Sequence, residues 1–156
     1  MVKLTKIGIG AITLAVFSGL LIASNAKAEL KSTLIIEIDG LKNQKGELCF
    51  KLFSSSYGFP GIDKNAVLRR CVKIGENPLK ITLKDMPSAS YALAVFQDVN
   101  GDRTLNRNQT GVPTESYGFS NNPATREDLT RYGDCVFFLA GAHEIIQIKL
   151  KTPPTK

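Results

Sequence analysis

The sequence contains a single histidine, His143, and no C-x-x-C pair among its three cysteines. A lone histidine in a turn, next to Glu144, is a solvated side chain rather than half of an acid–base pair. Without C-x-x-C, zinc and thioredoxin-like chemistry lack their ligands. No G-x-S-x-G occurs, so no nucleophile elbow is encoded. No Walker or dinucleotide-binding glycine pattern occurs either. Function has to be argued from a site, and no catalytic site assembles from these residues. Helical signals are almost absent. Long apolar runs are confined to one place, the N-terminus.

That one run has the layout of a leader. Lys3 and Lys6 precede an uncharged, mostly apolar stretch from Ile7 to Ala23, and Ala26-Lys27-Ala28 fits the A-x-A cleavage pattern. We read residues 1–28 as a signal peptide, residues 29–151 as one β-sandwich domain and residues 152–156 as a polar tail. The expected localisation is therefore exported, periplasmic or secreted, with cleavage after Ala28. The leader has no cysteine, which argues against the lipoprotein route. An uncleaved anchor is the competing reading, but 17 residues lie at the short end of the spanning range. Cleavage removes three lysines and no acid, leaving 17 bases against 14 acids, a net charge of +3. The bases are scattered, as at Arg69-Arg70, Lys149, Lys151 and Lys156. So small and dispersed an excess suits a solvated surface and not a nucleic-acid partner.

Export permits disulfides. In the stretch from Leu48 to Leu52, Leu48, Phe50 and Leu52 share one strand face and Cys49 takes the other. Cys71 likewise stands opposite Val72 and Ile74 in alternation. The matching parity predicts a Cys49–Cys71 bridge on the outer face of neighbouring strands. Cys135 opens the apolar run Val136-Phe137-Phe138-Leu139 and is expected to be a buried, inert thiol.

Alternation predicts seven short strands. They are Leu34–Asp39, Glu47–Phe53, Val67–Ile74, Leu79–Lys84, Tyr91–Phe96, Val136–Leu139 and Ile145–Leu150. Strands at this spacing point to an all-β antiparallel sandwich, immunoglobulin-like or transthyretin-like. The approach Pro87-Ser88-Ala89-Ser90-Tyr91 resembles modules in which a tyrosine hydroxyl bonds back to the corner backbone. The one helix candidate is Pro123–Tyr132, capped by Asn122 and stopped by Gly133.

The rest of the chain is organised around a loop, Gln97 to Asn122. Uninterrupted loops of this length are uncommon in compact domains and are usually functional. Asp98, Asn100 and Asp102 have the 1-3-5 spacing of a calcium loop, with Thr104 and Asn106 as further oxygen donors and Glu115 as a distant one. Two elements of the EF-hand pattern fail: Gly101 is fourth instead of sixth, and Gln109 stands where the bidentate glutamate belongs. The alternative is an Asx-rich turn whose side chains cap their own backbone. Calcium is the only cofactor these residues suggest. Ser-Tyr-Gly-Phe occurs twice, once with Tyr57 and Phe59 and once with Tyr117 and Phe119. These aromatics either form a binding shelf at one end of the sandwich or plug the core.

Asp98-Val99-Asn100-Gly101-Asp102, Leu105-Asn106, Gly111-Val112-Pro113-Thr114-Glu115 and Tyr117-Gly118-Phe119-Ser120-Asn121 follow in a specific order. Together they resemble the signature of an uncharacterised bacterial family, domain of unknown function 2141. The resemblance extends from about Leu30 to Leu150 and is sharp only in this loop. Asn106 departs from it, standing where such loops often carry aspartate. What the resemblance implies is a secreted β-domain. The expected function is a non-catalytic binding or adhesion module of the cell envelope, acting through the 97–122 loop on a glycan or a protein. The alternatives are an accessory envelope domain with a calcium-stabilised loop and a small hydrolase using the loop carboxylates.

Overall fold

The computed structural model describes residues 31–124 and 130–153 of the 156. The leader, the central half of the candidate helix (residues 125–129) and the end of the tail lie outside the described residues. Among those described, no helix is long and apolar enough to cross a membrane.

The described residues form eight strands in two sheets. They are β1 (Lys31–Asp39), β2 (Glu47–Phe53), β3 (Leu68–Lys73), β4 (Leu79–Pro87), β5 (Ala89–Asp98), β6 (Tyr117–Phe119), β7 (Val136–Leu139) and β8 (His143–Lys149). The smaller sheet has the order β4-β1-β8 and the larger the order β3-β2-β5-β6, with β7 pairing further along β5. The all-β sandwich is as expected, with two corrections. β1 and β8 run parallel, Thr33 opposite His143 through Asp39 opposite Lys149, so the sandwich is not wholly antiparallel. The expected helix over Pro123–Tyr132 falls in its central half, residues 125–129, outside the described residues. The described α1 is one turn, Tyr132–Cys135, and it runs through Gly133, where a stop was expected. So short a helix takes its position from packing, since one turn has almost no stability of its own.

The core lies between the sheets. Leu34, Ile36 and Ile38 of β1 meet Leu48, Phe50 and Leu52 of β2 and Tyr91, Leu93 and Val95 of β5. Their two-residue spacing is why these segments are strands: alternate side chains share a face. Tyr91 turns the corner into β5 as expected, its hydroxyl donating to the Pro87 carbonyl at 3.0 Å.

β5 differs from the other strands in being buried on both faces from Tyr91 to Asp98. Tyr91, Leu93 and Val95 face the main core, and Ala92, Ala94 and Phe96 face a second cluster on the outside of the larger sheet. The two alanines leave room for loops to lie down on that outer face. Leu105 and Phe59 come down from the two flanking loops to cover it. The second cluster is therefore the floor on which the loop chemistry stands.

Candidate functional site

The long loop is not continuous coil. Tyr117–Phe119 forms β6 and pairs with Ala94–Phe96 of β5, and an isolated bridge joins Arg107 to Pro113. Three residues around a glycine are too short for an alternation signal, which is why this strand is not visible in the sequence pattern. Gly118 is required by close approach. A Cβ there would stand 2.8 Å from the Ile148 side chain and 3.2 Å from the Lys149 carbonyl of β8. Ser120, fully buried, accepts the Leu93 N–H at 2.9 Å and donates to the Cys135 carbonyl, tying β5 to the turn that leads into β7. Gln97, also buried, donates to the Asn43 and Lys45 carbonyls and holds the β1–β2 turn against the loop base. Sequence reasoning passed over both residues, because a buried polar group is recognisable only from its partners.

The loop carboxylates are held by the chain's own amides. Asp98 is 0% exposed, and its Oδ1 and Oδ2 accept the N–H groups of Gly101 (2.7 Å) and Arg103 (2.8 Å). Glu115 closes the loop from its far side, accepting the N–H groups of Val99 (2.9 Å) and Asn106 (3.0 Å). Asp102 accepts the side-chain amides of Asn100 (2.9 Å) and Asn106 (2.8 Å) and the Thr104 N–H (2.8 Å). The Asn106 amide first, then that of Asn100, then the Thr104 N–H hold the Asp102 carboxyl below the usual carboxylate range. Because that pKa is lowered on folding, this local stabilisation is present above the ordinary carboxylate pKa. It is lost as pH falls through the lowered one.

In this arrangement the loop oxygens face the chain's own amides. Both oxygens of Asp98 and both of Glu115 are turned to separate backbone donors, and Asp102 is turned to two amide groups. Among the described residues no three acidic, histidine or cysteine side chains gather as a metal site requires. The arrangement is the Asx-type network, in which short polar side chains cap nearby N–H groups.

Both cysteine expectations match the structure. Cys49 and Cys71 are bridged on directly opposed positions of β2 and β3, facing the second cluster and not the main core. Cys135 is free and fully buried, and burial pushes its thiol up to about 12. Native protein should therefore show no reaction of Cys135 with a disulfide reagent at pH 8, and one equivalent after denaturation. The thiol ionises more readily in the unfolded chain, so its contribution to stability falls as pH rises from about 9 towards 12.

The repeated aromatic motifs divide. Phe59 meets Phe119 with ring centroids 6.0 Å apart, and Tyr117 meets Phe119 at 5.9 Å. These three are core plugs of the second cluster. Only Tyr57 stands out in solvent, 73% exposed.

Between the two loops, above the outer face of β2, β3 and β5, an open cleft of about 610 Å³ is lined by Lys51, Arg69, Asp63, Arg103 and Thr104. The disulfide and Phe96 contribute to its floor. Lys51 is paired with Asp63 and lies 5.6 Å from the centre of the Phe96 ring. Arg69 reaches the other oxygen of Asp63 at 3.8 Å.

A model described as "Uncharacterized protein conserved in bacteria (DUF2141)" matches residues 36–147, most of the chain. The chain belongs to this family. No curated protein and no solved structure matches it. In this DUF2141 chain, of the loop acids Asp98, Asp102 and Glu115, only Asp102 lines the cleft. The residues that line the cleft were only partly legible in the sequence. Strand parity places Lys51 and Arg69 on the same outer face as Cys49 and Cys71. Read as a string, Arg69 looked like scattered surface charge. The convergence of Arg103 and Asp63 on it depends on how two loops fold back.

Proposed function

We propose that this is an exported, non-catalytic binding module of the cell envelope, engaging a glycan or protein through the 97–122 loop. The cleft between that loop and the 54–67 loop carries the reading. A rigid two-layer scaffold supports two loops as walls, and binding residues concentrate on loops so supported. The cleft volume of about 610 Å³ falls in the size range of ligand sites. Export is supported by the leader pattern, and the disulfide suits an oxidising compartment. The non-catalytic reading is supported by the engagement of Asp98 and Glu115 with backbone amides, which leaves neither poised as an acid or base.

The test begins with protein recovered from the exported fraction, whose intact mass should start at Glu29. That protein is applied to an array of envelope polysaccharides and proteins beside a Thr104→Trp variant. Thr104 is exposed in the cleft wall, so tryptophan there fills the cleft without entering a core. At least one array component should be retained by the wild type and lost by the variant, with equal melting temperatures. Retention of nothing, or of the same components by both proteins, overturns the reading. Cleavage products from a retained component would favour the hydrolase instead.

A further inference from the structure

The cleft does not end at Thr104. A second depression of about 200 Å³, bordered by Arg107 and Leu105, shares Lys51, Phe96 and Thr104 with it. The two are one trough. Along it stand four cations, Lys51, Arg69, Arg103 and Arg107, against three carboxylates, Glu47, Asp63 and Asp102. Asp63 is committed to Lys51 and Arg69. Asp102 is committed to the amides of Asn100 and Asn106. Arg103 has no ion-pair partner among the described residues, and neither has Glu47.

Arg103 has a second peculiarity. Its φ is +60°, a conformation that costs energy for any residue with a side chain. The Asp98 carboxylate holds it there through its N–H. Glycine would relieve the cost, so what arginine adds must lie in its side chain. Strained backbone held by its surroundings is typical of ligand sites.

We infer that the trough takes a segment of acidic polysaccharide, a chain of carboxylate-bearing sugars. This inference rests on the binding-module reading and names its ligand class. A planar sugar carboxylate matches the guanidinium fork of Arg103. Sugar hydroxyls, which donate as well as accept, meet an unpaired acceptor in Glu47. The floor ring Phe96 is buried and presents no face for stacking bases.

The test is titration calorimetry of the mature chain with three acidic hexasaccharides (oligogalacturonate, oligoalginate, hyaluronan), uncharged maltohexaose and hexaglutamate. At least one acidic sugar should bind, more weakly as salt rises, and maltohexaose should not. Arg103→Gly is the decisive variant, since it removes the fork and relieves the strained backbone. It should weaken binding about tenfold or more, the loss of one charge-assisted hydrogen bond, while melting no lower than wild type. Arg103→Lys should recover part of the loss, and Lys84→Ala, on the smaller sheet, none of the affinity should be lost. Failure of all three acidic sugars, or unchanged affinity in Arg103→Gly, overturns the inference. So does maltohexaose or hexaglutamate binding as tightly as the best acidic sugar. In each case a cleft-dependent hit on the array would leave the binding-module reading standing.

Discussion

Asp98→Ala should lower the stability of the folded domain by about 3–4 kcal/mol, with the loss of two charge-assisted hydrogen bonds. The carboxylate is fully buried and serves the N–H groups of Gly101 and Arg103. Removing it leaves both part-buried donors without their partner at the base of the loop. For a domain of this size the melting temperature should fall by roughly 12–16 °C. Asp98→Asn should fall by less, because one acceptor oxygen remains. The release of Arg103 from its left-handed backbone should also open the cleft wall, visible as faster amide exchange over residues 99–106. Melting curves in millimolar calcium and in chelator should coincide for wild type, since the loop oxygens already have donors. A clear upward shift in calcium that disappears in Asp98→Ala would restore a metal role for Asp98, Asn100, Asp102, Thr104, Asn106 and Glu115. A loss under 1 kcal/mol in Asp98→Ala would show that the loop is held by its aromatic floor instead.

Reduction of the Cys49–Cys71 bridge, or the Cys49→Ala/Cys71→Ala pair, should cost about 3 kcal/mol on the chain-entropy argument for a loop of this length. The sequence separation is 22 residues. The effect should be local before it is global. Among the described residues β3 is an edge strand with β2 as its one partner, and three of its six residues are half-buried while Arg69, Arg70 and Lys73 are exposed. Without the bridge β3 should exchange its amides first, taking Arg69 out of the cleft wall. The expected fall in melting temperature is roughly 10 °C, with the β3 amides losing protection well below the main transition. Uniform loss of protection across both sheets would show instead that the bridge acts only on the unfolded chain.

The chain's fold class was legible because burial imposes a two-residue period on strands, and that period is local. The same parity settled the disulfide. Leu48, Phe50 and Leu52 claim one face, so Cys49 must take the other, and Cys71 matches it across the ladder. Pro87 to Tyr91 announced its corner for a similar reason, since a tyrosine bonding four residues back is a local contact.

Four features needed the tertiary structure. The parallel pairing of β1 with β8 joins segments some hundred residues apart, and alternation carries no direction. β6 is three residues long and exists because Gly118 lets it approach β8. The carboxylates of Asp98, Asp102 and Glu115 have the same composition whether they ring a cation or cap amides. Only the folded path of the loop shows the Gly101, Arg103, Val99 and Asn106 N–H groups turned onto them. The cleft belongs to the same class. Lys51, Asp63, Arg69 and Arg103 come from two strands and two loops, and such a constellation leaves no fixed spacing in the chain. The physical reason is one of range. Side-chain direction along a strand is set by adjacent peptide units, whereas electrostatic and hydrogen-bond partners are set by which distant backbones happen to pack together.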